Sequence, residues 1–168
     1  MITTQNNQQF TAQDACPCES GKPFKQCCEP LLEGRSNADT ASALMRSRFC
    51  AFVFQRWDYL SRTALNSDPN EEIQQYSADK IWCSLKILKT KKGSEKDTSG
   101  EVEFVAFYQR QQESAPKTLR QHHEHSHFQK IDGLWYFTQG LAMDDIKPDR
   151  NGNCPCGSGK KYKKCCAQ

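Results

Sequence analysis

The sequence lacks any run of about 18 apolar residues, the minimum for a membrane-spanning helix, and its first nine residues, MITTQNNQQ, hold neither a basic start nor an apolar stretch. No secretory signal or membrane partner is expected, and the cytoplasm is the expected compartment. Charge of one sign is also scarce. The 23 Lys and Arg against 20 Asp and Glu leave +3, too little to define a nucleic-acid-binding protein unless the basic residues cluster. No P-loop, dinucleotide fingerprint, serine elbow or HExxH motif occurs, so no signature fixes a substrate or a reaction. Aromatic residues are few, at 10%, and apolar content is 36%. Those values support one modest core under a polar surface, since a domain takes roughly 100–200 residues.

Cysteine, by contrast, is abundant: there are ten. In a reducing compartment that points to metal rather than disulfides. Eight of the ten fall in two copies of one phrase, ACPCESGKPFKQCC at 15–28 and NCPCGSGKKYKKCC at 153–166. Each copy reads C-x-C, eight residues, C-C, and adjacent cysteines such as Cys27 and Cys28 pair with each other only under strain. Four thiolates from one short segment suit a tetrahedral zinc with sulfurs at about 2.3 Å and no open position, a structural site. Two structural zinc ions are therefore expected, one on Cys16, Cys18, Cys27 and Cys28, the other on Cys154, Cys156, Cys165 and Cys166. Such a site carries formal negative charge, which nearby cations offset. The C-terminal copy supplies Lys160, Lys161, Lys163 and Lys164 around Tyr162; the N-terminal copy has Lys22, Pro23, Lys25 and Gln26, with Glu19 at the place of Gly157. The lysines and Tyr162 exceed what charge compensation needs, and this marks them as the candidate partner-binding surface, for an acidic protein or a ribonucleoprotein. A solvated face that only balances the metal is the plainer alternative.

CPCGSGKKYKKCC at 154–166 resembles the SEC-C motif, a small zinc-binding module first recognised at the C-terminus of the SecA preprotein-translocation ATPase, where it recruits a chaperone and contacts ribosomes. The resemblance implies the same two sets of four cysteine ligands. It does not imply one function, because the motif is attached to many unrelated proteins.

Between the copies, Leu44, Met45, Phe49, Phe52 and Val53 recur at helical spacing after NADT, predicting an amphipathic helix over about 40–54 capped by Asp39 or Thr40. WDYLSRTAL predicts a second short helix, LNSDPNEE a loop and IQQYSADK one further turn. IWCSLKIL, EVEFVAFYQR, LRQHHEHSHFQKI and LWYFTQGLAM predict four antiparallel strands, the last two joined by a hairpin at Asp132-Gly133. Helices followed by strands give an α+β fold with a curved antiparallel sheet around the long helix. Cys50 and Cys83 are expected to be small core residues. The order resembles the nuclear transport factor 2-like (cystatin-like) cone, and ALMRSRFCAF, GEVEFVAFY, HEHSHF and GLWYFTQG resemble the central part of the YchJ family, in which SEC-C modules flank such a domain. The implied organisation is a knuckle over 1–34, the cone over 35–148 and a knuckle over 149–168.

All four histidines lie in HHEHSH. Strand alternation puts His123, His125 and His127 on one face, expected to be solvated, because alternate residues about 7 Å apart suit a shared ion poorly. His122, Glu124, Ser126 and Phe128 take the other face, inside the cone, where a carboxylate and a hydroxyl need partners. Arg46, on the covering helix, is the candidate partner of Glu124, in a structural ion pair or a polar pocket floor. The leading expectation is a zinc-binding adaptor whose cone offers a dimer surface or a small-ligand pocket. The alternative is an enzyme acting on a small molecule near Glu124 and Ser126.

Overall fold

Helical and strand patterns separate in space as they do in sequence. The computed structural model describes residues 2–3, 9–66, 68–112 and 118–167; most of the loop expected over QESAPKT lies outside them. The elements are β1 (Ile2–Thr3), β2 (Gln9–Phe10), α1 (Glu29–Leu32), α2 (Ala41–Val53), α3 (Trp57–Arg62), α4 (Asn70–Ser77), β3 (Lys80–Lys92), β4 (Ser99–Arg110), β5 (Arg120–Ile131) and β6 (Leu134–Ala142). One 3-10 turn sits in each cysteine segment, at Phe24–Gln26 and Tyr162–Lys164.

Thr40 starts the central helix: its hydroxyl accepts from the Ala43 amide at 3.0 Å, satisfying one of the orphan N–H groups of a helix start. Helix α4 runs two turns over Asn70–Ser77, so the end of the stretch expected as a loop, Asn70 to Glu72, and IQQYS of IQQYSADK are helical, while Lys80 already begins β3. Strands β3 to β6 form one antiparallel sheet in sequence order. Asp132 and Gly133 both take left-handed backbone, φ 50 and 80, as a two-residue hairpin whose turn matches the strand twist requires.

Two bulges in β3 set which of its side chains face the helices. Trp82 pairs with Tyr108 and Ser84 with Phe107, leaving Cys83 as the extra residue. The bulge reverses the alternation, so Trp82 and Leu85 both face inward while Ser84 faces out. Cys83 is consequently half-exposed, its thiol donating to the Ile81 carbonyl at 3.3 Å, and is not the core residue expected.

The core joins Leu44 and Phe49 of α2 to Leu85, Val102, Phe104 and Ala106 of the sheet. Each buried Leu or Phe stabilises by about 1.5–3 kcal/mol. Helix α2 is covered on a second side too, since Ala41, Met45, Ser47, Cys50, Ala51 and Val53 are also buried. The N-terminal cysteine segment provides that cover. Phe24 packs edge-on to Phe10 at 5.4 Å and against Phe54 at 4.8 Å, in the same apolar cluster as α2.

After β6 the chain crosses the outer face of the sheet. The Met143 amide donates to the His123 carbonyl at 3.0 Å, Gln121 exchanges two hydrogen bonds with the Ile146 backbone, and Ser84 donates to the Pro155 carbonyl at 2.7 Å. Val105 and Phe107, on this outward side, are accordingly buried. So is His123, at 8% exposure. The solvated face expected for it is therefore not what forms: His123 Nδ1 bonds the Asp144 carbonyl and Nε2 lies 3.1 Å from Glu103. His125 and His127 do remain partly open, stacked on each other at 5.1 Å.

Candidate functional site

In both cysteine segments the spacer folds back so that the four sulfurs converge. A backbone bond from the first cysteine closes each loop, Cys16 to the Lys22 carbonyl and Cys154 to the Lys160 carbonyl. Glu19 and Gly157 occupy the same left-handed position, φ 60 and 81. Glutamate accepts there a backbone that glycine adopts freely. Within each tetrad all four Sγ atoms lie within 4.8 Å of one another. Cys18–Cys27 and Cys156–Cys165 are 3.6 Å apart, Cys27–Cys28 3.7 Å and Cys165–Cys166 3.8 Å. A metal with sulfurs at about 2.3 Å requires tetrahedral edges of about 3.8 Å. Both tetrads thus fit a four-coordinate ion, with no place left for a substrate. The hydroxyls of Ser20 and Ser158 approach Cys27 and Cys165 at 3.1 and 3.3 Å, as outer partners of a thiolate site do.

The surroundings of the two tetrads differ. Cys16, Cys18 and Cys28 are buried, whereas in the C-terminal tetrad only Cys154 is. Lys160, Lys161, Lys163 and Lys164 are exposed and Tyr162 is half-buried. Among the described residues, none of these lysines forms an ion pair with an acidic side chain.

The second site lies inside the cone, a cavity of about 440 Å³ between the helices and the sheet. Its walls are mostly apolar, including Met45, Phe49, Phe52, Trp82, Phe104 and Phe137, and Asn66, Asp68 and Glu72 line it too. Polar groups gather on β5: His122 Nε2 is 3.0 Å from Glu124 Oε2, and Ser126 donates to Glu124 Oε1. Tyr76 of α4 adds a fourth member, its hydroxyl 3.1 Å from His122 Nδ1. With Nε2 donating to the carboxylate, Nδ1 accepts from the Tyr76 hydroxyl, so one tautomer serves both bonds.

The cation at this floor is Arg48, not Arg46. Arg46 points to the other side of α2 and donates to the Cys18 carbonyl in the N-terminal knuckle. Two helical residues are about 200° apart, so 46 and 48 cannot share a face. Arg48 lines the cavity in phase with Met45 and Phe52, its Nη1 donating to the Leu60 carbonyl and Thr63 hydroxyl at 2.7 Å each, its guanidinium 4.8 Å from the Phe137 ring centre. Burial pushes Arg48 down to about 10, which still leaves it charged at neutral pH. Burial alone pushes the Glu124 carboxyl up, but hydrogen bonds from His122 and Ser126 and the nearby Arg48 guanidinium outweigh it and hold the group below its ordinary value. Burial pushes the Tyr76 hydroxyl up to about 12, with Tyr108, Glu124 and Asp79 adding to it. At neutral pH the floor thus offers a carboxylate, a cation and a protonated phenol.

Gly140, across from Ser126 on β6, makes the arrangement fit. A methyl group there would collide with the Glu124 carboxylate. No feature of the sequence singled out Gly140 or Tyr76. Arg48 could have been found from its phase with Met45, Phe49 and Phe52.

A helix-backed four-stranded cone between two four-cysteine knuckles defines a nuclear transport factor 2-like domain bearing SEC-C motifs. The family model for the YchJ middle NTF2-like domain matches residues 40–140, and the SEC-C motif matches 14–30 and 150–168. The chain belongs to the YchJ, or UPF0225, family. It is 41% identical to a UPF0225 protein of Geobacter sulfurreducens, across 90% of this chain and 96% of that one, and 44% identical to one of Photorhabdus laumondii, across 91% and 98%. Among solved structures it is similar to a SEC-C motif containing protein from Rhodopseudomonas palustris, with TM-score 0.68, 32% identity, and 78% of this chain and 100% of that one covered. A SEC-C motif containing protein from Psychrobacter arcticus matches with TM-score 0.63 and 26% identity, over 93% and 97%. No described helix is long and apolar enough to cross a membrane.

Proposed function

We propose that this chain is a zinc-stapled adaptor whose cone binds a small molecule with an apolar body and a polar head. The observation that carries the reading is the gathering of Arg48, His122, Glu124 and Ser126 in a cavity whose remaining lining is mostly apolar. Its 440 Å³ volume falls among small-molecule pockets of about 300–1,000 Å³. An adjacent cation and carboxylate suit a head that both donates and accepts hydrogen bonds, such as a hydroxyl beside a carbonyl. Zinc is the metal that four thiolates with these spacings suit best, and two ions per chain are the expected result of metal analysis. The exposed lysines around Tyr162 support docking of the C-terminal knuckle on an acidic protein or ribonucleoprotein surface.

Ligand-observed NMR with a panel of small aromatic hydroxy- and keto-compounds tests the pocket. Binders of the native chain should bind at least about tenfold more weakly to Gly140→Ala, whose methyl displaces Glu124, while zinc content stays the same. Equal binding to both chains would refute the pocket. The Tyr76–His122–Glu124 relay favours a second reading, general acid–base chemistry on that ligand. Glu124→Gln would then abolish turnover and retain binding.

A further inference from the structure

The N-terminal tetrad has a fifth sulfur beside it. Cys50 of α2 is fully buried, and its Sγ lies 3.6 Å from Cys16 Sγ. Cys16, Cys18 and Cys28 are the buried sulfurs of the tetrad, while the fourth, Cys27, is half-exposed. The Cys16–Cys50 separation is already that of a tetrahedral edge, about 3.8 Å. Arg46, one turn before Cys50, ties the same helix to the knuckle through the Cys18 carbonyl. The C-terminal tetrad has no counterpart: the only other cysteine, Cys83, is engaged with the Ile81 carbonyl.

We infer that the N-terminal metal centre is a five-thiol site, in which Cys50 stands in as the fourth ligand when Cys27 is lost or displaced. Exchange is balanced: Cys50 gives up its thiol proton to water as its sulfur bonds the metal, and Cys27 leaves as a thiolate that takes a proton from water. The metal keeps four sulfurs throughout. With Cys27 bound, Cys50 remains a thiol that donates to a coordinated sulfur, the kind of outer partner whose loss weakens a site about 10- to 100-fold. The inference rests on the reading that the tetrad holds zinc.

Zinc content of the full chain, measured by mass spectrometry of the metal, tests it. The native chain should carry two ions, and a chain with an empty N-terminal site would overturn the zinc reading along with this one. Cys27→Ser should still carry two, whereas Cys165→Ser, the matching change in the other knuckle, should carry one. Cys27→Ser combined with Cys50→Ser should also carry one. Loss of one ion from Cys27→Ser alone, with two in the native chain, would overturn the inference and leave the zinc reading standing. Cys50→Ser alone leaves both tetrads intact. It should release the N-terminal ion to a chelator at about tenfold lower chelator concentration, with the C-terminal ion unchanged. Equal release from the native chain and Cys50→Ser would count against the outer contact and thus against the five-thiol site.

Discussion

The two knuckles share a cysteine spacing and a fold-back, yet one is built into the core and the other is held at the surface. Phe24 and Tyr162 occupy matching positions in the repeat; Phe24 is 1% exposed and packed between Phe10 and Phe54, whereas Tyr162 is half-exposed. The N-terminal segment is gripped by Arg46 at the Cys18 carbonyl and by Arg56 and Arg62 at the Leu32 carbonyl. Among the described residues, the C-terminal segment is tied to the sheet by the bond from Ser84 to the Pro155 carbonyl, with the Gln121–Ile146 pair holding the stretch of chain before it. A motif that supplies its own staple can be spent either way, because the metal stabilises the loop whether or not a core surrounds it. The neighbours decide whether its loss reaches the rest of the fold.

That contrast is most severely tested by removing one ligand from each tetrad. Cys28→Ser should lower the melting temperature by roughly 10 °C or more, because core packing goes with the metal, and the matching Cys166→Ser by only a few degrees. Equal losses by calorimetry would break the comparison. Next in size, Phe24→Ala should cost about 3–5 kcal/mol in urea unfolding and Tyr162→Ala about 0.5 kcal/mol or less. Arg46→Ala strands the Cys18 carbonyl and should cost about 1–3 kcal/mol, in contrast to no measurable cost at Lys164. The smallest effect is expected from replacing Lys161, Lys163 and Lys164 together with Ala: stability within about 0.5 kcal/mol and zinc unchanged, with salt-sensitive capture of an acidic partner lost.

Acid titration separates the pocket from both knuckles. The folded-state value of Glu124 lies below its unfolded one. Its contribution to stability is therefore fully present above the unfolded value and is lost as pH falls through the folded one. Glu124→Gln should flatten that part of the acid-side stability curve, measured by urea unfolding in the presence of saturating zinc.

Much of this was legible in the chain because it depends on local rules. The Thr40 cap, the Asp132-Gly133 hairpin and the inward placement of Glu124 and Ser126 follow from a few neighbouring residues. Arg48 was legible only through its phase with Met45 and Phe52, a weak signal because α2 is apolar on more than one face and is covered by both the sheet and Phe24. Residue type misleads at Cys83, because a bulge makes it the extra residue of β3 and no local pattern announces the bulge. The burial of His123 is not legible because its cover comes from residues 143–146, far along the chain from that part of β5. Long-range cover leaves no periodic trace.

The space beneath the Glu124 carboxylate links two positions that sit on different strands. Because a side chain at Gly140 would occupy the volume that the carboxylate fills, the two must vary together. In any relative, a residue larger than glycine at the position of Gly140 should accompany a shorter side chain at the position of Glu124. The pair is therefore a two-letter test, readable from sequence alone, for which members of the family keep an acidic floor in the cone.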